Sequence, residues 1–321
     1  MVILPLTKHD SETAGIRVVD SLKNVLQSGR FAVTCELGPP QGSTLAPLVE
    51  KAAMVRGFVD AVNLTDCTGA MVRLSSLAAS LAVMSAGIEP IMQITLRDRN
   101  RIGIQSDLLG ASALGIHNIL CLYGDMPSAG NEKEAKPVYD INTETLISGI
   151  RKMRDESLLL GGGKISVPPE FFIGAAASPA HEESEKRIEK VKRKVDAGAE
   201  FIQTQPVFDP GLFEEFMRDM NSSGISQECR IIAGIMPVKS LKMARHLRDQ
   251  VHGITVTEEV VTRMDRAVSQ EQEGIRIALE TVEALKKIRG LAGIHIMTVS
   301  WEQVIPKIVE EAGLAPRAAI R

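Results

Sequence analysis

The feature that most constrains this chain is a repeat in its hydropathy. Eight short, β-rich apolar runs are each followed by a stretch with helical period. The runs occupy 31–37, 59–65, 90–96, 118–123, 171–176, 201–205, 230–236 and 293–299. Amphipathic segments at 44–56, 71–87, 103–115, 142–158, 183–197, 210–221 and 239–251 predict helices between them, and 257–289 predicts two more. Gly57, Gly87, Gly115 and Gly198 stand at or just past predicted helix ends, where a left-handed cap is wanted. Strands that alternate with helices pair in parallel through right-handed crossovers. With a leading helix near 13–28 and a closing one at 301–312, the pattern predicts an α/β fold of the (β/α)8 TIM-barrel type. One domain over 1–321 is expected: an N-terminal extension and helix (1–29), barrel and closing helix (30–312) and a tail (313–321). A doubly wound open sheet is the competing arrangement. Nucleotide motifs give it no support, because Gly-x-Gly-x-x-Gly is absent and Gly161-Gly162-Gly163-Lys164 lacks the P-loop frame.

Composition narrows the function. Thirty-seven Lys and Arg against 40 Asp and Glu give a net charge of -3, and aromatic residues make up 3%. Nucleic acid is therefore an unexpected partner, since it calls for a basic face and stacking platforms. No apolar run approaches the ~20 residues of a membrane span, and the start MVILPLTKHDSE turns polar too soon for a secretory signal, so a cytoplasmic protein is expected. Cys35, Cys67, Cys121 and Cys229 are scattered singly; reduced core thiols and no metal or iron–sulfur site are expected. The charged run 182–196 interleaves acids and bases at helical spacing, as a solvated helix face does.

In such a barrel the reactive groups stand where strands end. Those positions carry Glu36, Thr65-Asp66, Gln93 and Thr95 before Arg97-Asp98-Arg99-Asn100-Arg101, Gly124-Asp125, Ser178 and His181, and Gln203 and Gln205 before Asp209. Carboxylates and amides converge there without a nucleophilic triad. Glu36, between Cys35 and Leu37 and followed by Pro39-Pro40, is placed to be partly desolvated, with the raised pKa a general acid near neutrality needs. Capping the first helix is its other reading. Asp125 opens a loop to Tyr139 long enough for a lid or ligand loop, or it caps a turn. Gln205 reads equally as a core amide, and His181 as an ordinary first-turn helix residue.

Taken together, Cys-Glu-Leu-Gly-Pro-Pro (35–40), Val-Asn-Leu-Thr-Asp (62–66), Leu-Tyr-Gly-Asp-Met-Pro (122–127), Lys-Val-Asp-Ala-Gly-Ala (194–199), Thr-Gln-Pro-Val-Phe-Asp (204–209) and Gly-Ile-Met-Pro-Val (234–238) resemble the methylenetetrahydrofolate reductase family. The resemblance spans roughly 30 to 300, and Arg-Asp-Arg-Asn at 97–100 looks like its bacterial branch of fusion proteins and multi-subunit reductases. It implies flavin-dependent reduction of methylenetetrahydrofolate to methyltetrahydrofolate. Glu36 takes the place of the acid that opens the substrate's ring, Asp125 that of a catalytic carboxylate contacting flavin and pterin, and Gln205 that of a folate-binding amide. By the same likeness Thr65, Asp66, Gln93, Arg97, Tyr123, Gly124, Asp125, Tyr139, Ala177, His181 and Lys194 fall in the cofactor region.

The chain departs from the family at three of these positions. Tyr123 stands for an arginine, Gln93 for a histidine and Ala177 for a tyrosine. FAD is the implied cofactor, with FMN as the alternative and Arg97, Arg99 or Arg101 as replacement phosphate ligands. On strand eight Met297 and Trp301 replace a tyrosine and an arginine, so electrons are expected from NAD(P)H or from an electron-donating partner subunit. An oligomer is expected, without the regulatory domain of animal relatives. A phosphate-binding barrel lyase or aldolase is the other enzyme class such a fold permits; its usual Schiff-base lysine or metal cluster is missing, since Lys164 and Lys194 lie outside the runs.

Overall fold

The computed structural model describes residues 21–179, 183–251 and 253–317. A short helix α1 (Leu22–Gln27) precedes β1 (Ala32–Leu37), α2 (Ala46–Val55), β2 (Ala61–Leu64), α3 (Ser76–Ser85), β3 (Glu89–Thr95), α4 (Arg101–Ala113) and β4 (Asn118–Leu122). The second half runs α5 (Thr143–Glu156), β5 (Phe172–Ala177), α6 (Ser184–Ala197), β6 (Phe201–Pro206), α7 (Pro210–Ser222), α8 (Ile225–Glu228), β7 (Arg230–Ile235), α9 (Leu241–Gln250), α10 (Glu258–Arg266), α11 (Gln270–Leu285), β8 (Leu291–Ile296) and α12 (Ile305–Glu311). The strands close in the order β1 to β8, each parallel to its neighbours, and β8 returns to β1. This is the (β/α)8 barrel that the hydropathy repeat predicts. The expected leading helix is seen here as α1, and its residues before 21 lie outside the described ones.

Helix starts follow their caps rather than their apolar period. The segment expected as a helix from residue 71 begins at Ser76, where the Ser75 hydroxyl accepts from the Ala78 amide. Asn100, Asn142, Asp209, Ser240, Thr257 and Ser269 cap α4, α5, α7, α9, α10 and α11 likewise. The short α8 was not foreseen; β8 begins and ends earlier than the run at 293–299.

Period-2 alternation turns one face of each strand inward and the other toward the helices. The outward set builds a shell core with α2 to α8, α11 and α12, and α9 and α10 pack in a separate cluster with Phe208, Val238 and Ile277. The inward set at the N-terminal end forms a separate cluster in which Leu22, Val25 and Leu26 of α1 plug the barrel against Ala32, Ala61, Ile91, Leu120, Phe172, Phe201 and Ile232. The Leu22 amide donates to Glu89 Oε2 at 2.5 Å, pinning this plug to the start of β3.

The strand register stacks the inward side chains in layers drawn from alternate strands. From the floor upward they are Thr34, Ile91, Gly174 and Ile232; then Asn63, Leu120, Gln203 and His295; then Glu36, Gln93, Ala176 and Gly234; and at the mouth Thr65, Leu122, Gln205 and Met297. Size alternates between layers. Gly174 is the hole that admits the Phe201 ring, which stacks on Phe172 at 5.0 Å, and a Cβ on Gly174 would lie 2.2 Å from that ring. Gly174→Ala should therefore lower the denaturant midpoint by the equivalent of about 1–3 kcal/mol with an unchanged m-value; an unshifted midpoint would show that the layer is not close-packed.

Candidate active site

The third layer carries a carboxylic acid with no counter-ion in its own layer. Glu36 Oε2 accepts from the Gln93 amide Nε2 at 3.2 Å, and Gln93 is buried. Burial raises the Glu36 pKa to about 7, against the smaller opposing effect of that hydrogen bond. The other two places in the layer hold Ala176, which like Glu36 is half-buried, and Gly234, which is covered by Met297, whose Cε would lie 2.6 Å from a Cβ there. Beneath it lies a saturated, uncharged floor. Asn63 Nδ2 donates to Gln203 Oε1 at 2.6 Å, Gln203 Nε2 returns the bond to Asn63 Oδ1 at 3.2 Å and also reaches Thr34 Oγ1 at 3.3 Å. Thr34 Oγ1 is 2.9 Å from His295 Nδ1, and burial holds that ring neutral with its pKa lowered to about 3. Asn63 and His295 were not picked out from the sequence; stepping back by twos from Thr65 and Met297 would have found both.

Above the acid, Thr65 Oγ1 is buried and makes no hydrogen bond among the described residues, while Gln205 is half-buried at the end of β6. Asp66 turns away from the mouth: its Oδ2 accepts from the Thr95 amide at 2.8 Å and hydroxyl at 3.0 Å, and pairs with Arg99. Arg97 is buried and forks onto Asp98 with two bonds of 2.7 Å, its other contacts being the carbonyls of Asp66 and Asp125. Arg99 also meets Asp107 at 3.0 Å, and Arg101 meets Asp140 at 2.7 Å. Where the sequence reading expects phosphate on these guanidiniums, the structure gives each a carboxylate of the chain.

The loop after β4 is fastened to its neighbours. Gly124 is needed for its φ of +94° and because a Cβ would lie 3.1 Å from Thr95 Cβ and 3.2 Å from Arg97 Cβ. The Tyr139 hydroxyl donates to the carbonyl of Gly124 at 3.1 Å, and its ring stacks on Tyr123 at 4.3 Å and 7°. Asp125 is exposed, with Oδ2 accepting from the Gly69 amide at 2.9 Å. From α6, Lys194 Nζ donates to the Ala176 carbonyl at 2.6 Å, and burial lowers its pKa. Ala177 faces the helices in the shell core, not the barrel interior, because alternation places Ala176 inward. His181 lies outside the described residues. Three of the cysteines are buried thiols as expected, whereas Cys67 is half-exposed on the rim in a left-handed conformation, φ +51°.

A family model described as methylenetetrahydrofolate reductase matches residues 21–313. The chain belongs to that family. Among relatives, a Caenorhabditis elegans protein named probable methylenetetrahydrofolate reductase (NADPH) is 28% identical over 75% of this chain and 34% of its own length. The Arabidopsis thaliana methylenetetrahydrofolate reductase (NADH) 1 is 27% identical over 95% of this chain and 52% of its own. A 5,10-methylenetetrahydrofolate reductase of Pectobacterium carotovorum is 24% identical, covering 91% of this chain and 93% of the relative. The chain thus spans about half or less of the first two relatives and nearly all of the third. Among solved structures, a Clostridium thermocellum protein described as binding two copies of 5-methyl-5,6,7,8-tetrahydrofolic acid shares the fold, with a TM-score of 0.66 at 13% identity over 91% of this chain and 99% of that one.

Within this family framework the strand-eight departures separate. Met297 is half-buried beside Gly234, at the mouth. Trp301 is buried in the shell core with Lys239 Nζ 5.7 Å from its ring centroid, so it is a packing residue here. Among the described residues, no helix is long and apolar enough to cross a membrane.

The acid's environment has a measurable consequence for stability. A folded-state pKa of about 7, above the ordinary 4.5 of a glutamate, means that the folded chain holds the Glu36 proton more tightly. That contribution is fully present below the unfolded pKa and is lost as pH rises through the folded one. Glu36→Gln should be more stable than the parent at pH 8, by on the order of 1–3 kcal/mol, with the gap shrinking toward pH 5. A pH-independent difference between the two unfolding midpoints would contradict the burial argument.

Proposed function

We propose that the chain reduces methylenetetrahydrofolate to methyltetrahydrofolate at this mouth, with flavin as the hydride carrier and Glu36 as the general acid. The observation that carries this reading is the placement of Glu36, a half-buried inward carboxyl poised near neutrality, in a chain that matches the reductase family over nearly all of its length. The substrate holds its one-carbon unit in a five-membered ring between two nitrogens. That carbon becomes open to hydride when the ring opens to an iminium cation, and the leaving nitrogen needs a proton to depart. Glu36 supplies that proton: the O–H bond of its carboxyl breaks, an N–H bond forms and the C–N bond of the ring is released.

The remaining residues bind and orient. Bound flavin supplies the hydride. The unpartnered Thr65 hydroxyl is free to meet a polar edge of the flavin ring, and in the layer below Ala176 is small and half-buried, so the residues present fit such a cofactor. Lys194, bonded to the Ala176 carbonyl near the end of β5, would offer a donor to a cofactor oxygen. Gln205 offers a donor and an acceptor to the pterin edge. Asp125, fixed by the Gly69 amide, places a negative charge at the rim, which favours the iminium cation and disfavours added negative charge on a reduced ring. FAD is the cofactor favoured by the family likeness. Arg97, Arg99 and Arg101 each pair with a carboxylate, but Arg99 Nε has no partner among the described residues and remains a donor to a phosphate of either FAD or FMN.

Glu36→Gln tests the reading. The variant should bind flavin and accept electrons at the parental rate while turnover with methylenetetrahydrofolate falls by about 10² or more; preserved turnover would remove the acid assignment. Anaerobic mixing of flavin-loaded protein with NADH and NADPH identifies the donor. Bleaching by either assigns direct entry, and persistent colour assigns a partner subunit.

A further inference from the structure

The family likeness places Gln93 among cofactor contacts, yet its side chain is hydrogen-bonded to the acid. Glu36 on β1 and Gln93 on β3 occupy the same layer, and the stagger of the closed sheet brings alternate strands into contact there. The contact is built into the barrel, since both residues sit on strands and Gln93 is 5% exposed. We propose that Gln93 is the positioning residue of the acid, holding the Glu36 carboxyl in one orientation and serving both its protonation states. The inference rests on the reading of Glu36 as proton donor.

An amide suits this task because it carries a donor and an acceptor on one planar group. With Glu36 ionised, Gln93 Nε2 donates to Oε2, the arrangement observed. With Glu36 protonated, rotation of the amide presents Oε1 to the acid's O–H. Proton donation converts the second arrangement into the first, so Gln93 stabilises the carboxylate as it forms. A hydrogen bond to the charged form lowers a carboxyl's proton affinity and so opposes the effect of burial. Other groups around Glu36 do little to its charge. Its layer neighbours are Ala176 and Gly234; the layer below holds Asn63, Leu120, Gln203 and a neutral His295; and the layer above holds Thr65, Leu122, Gln205 and Met297. Of the charged rim groups, Arg97 and Asp66 are bonded to other partners, as is one oxygen of Asp125. Gln93 is thus the polar group in direct contact with the acid. An imidazole can donate at this place, whereas a leucine of similar volume cannot.

Carboxyl infrared difference spectra of the full chain, with Glu36→Gln as the blank, read the titration of Glu36 without turnover. In Gln93→Leu its midpoint should rise by about one pH unit. The falling limb of kcat against pH should move upward with it, the kcat plateau should drop about threefold and KM for the folate should stay unchanged. Gln93→His should restore the parental midpoint, and it keeps the test alive if the leucine variant folds poorly. A midpoint unmoved in a folded Gln93→Leu protein, or KM rising with no change in the pH profile, would overturn the proposal. A shifted midpoint combined with full turnover in Glu36→Gln would instead overturn the acid reading, and Gln93's part in turnover with it.

Discussion

Inside a closed eight-stranded parallel sheet there is room for four side chains in each layer, and every inward residue must share that space with three others. The lower layers fill it, with α1 sealing the end and Phe201 occupying the hole left by Gly174. In the Glu36 layer Met297 covers Gly234 from above, while the small Ala176 and Glu36 itself stay half-buried. The carboxyl at that level is half-buried, bonded to Gln93 and otherwise set among uncharged layer neighbours. It is desolvated enough to keep a proton near neutrality and accessible enough to give it away. The neutral floor of Asn63, Gln203, Thr34 and His295 matters for the same reason. A cation there would pull the acid's pKa back into the ordinary carboxylate range, and the buried, uncharged His295 avoids that.

The rim is organised by a different force. Three arginines within five residues each take a carboxylate from the chain, and the pairs are graded by exposure. Arg99 with Asp66 is largely shielded and hydrogen-bonded, so losing either partner would leave a poorly solvated charge behind, whereas Arg97 is buried but its partner Asp98 is exposed, so there it is loss of Asp98 that would strand a charge. Arg101 with Asp140 is solvent-exposed, and such pairs contribute about 0–1 kcal/mol. The Arg99–Asp66 pair, the Arg97 bonds to the carbonyls of Asp66 and Asp125 and the Gly69–Asp125 bond tie the loops after β2, β3 and β4 into one wall, and the Tyr123–Tyr139 stack braces the last of them. A wall fixed in advance loses little conformational freedom when planar ligands stack against it.

Much of this was legible in the residue order, because a barrel of alternating strands and helices is a local pattern repeated. Period-2 alternation carried Glu36 inward correctly, and caps such as Ser75 and Asn100 explain why helices start later than apolar period alone places them. What was not legible depended on partners distant in sequence. Nothing near Arg101 announces Asp140, and nothing near Asp66 says that Thr95 and Arg99 will occupy it, so both looked available to a cofactor. Ala177 shows the sensitivity of strand ends: a one-residue step exchanges the interior for the helix layer. The Gln93 contact with Glu36 depends on the stagger between β1 and β3, which emerges when the sheet closes.

In the proposed reaction all of these features converge on proton donation by Glu36, which opens the ring ahead of hydride transfer, and the rate of that sequence can be observed directly. Flavin-loaded protein, reduced beforehand and mixed anaerobically with methylenetetrahydrofolate in a stopped-flow cell, reports it as flavin reoxidation. The rate constant should fall tenfold per pH unit above about pH 7 as Glu36 loses its proton. A rate constant that stays flat from about pH 6 to 9 would contradict the account, because the acid required by the ring opening would then not be the carboxyl that the barrel buries.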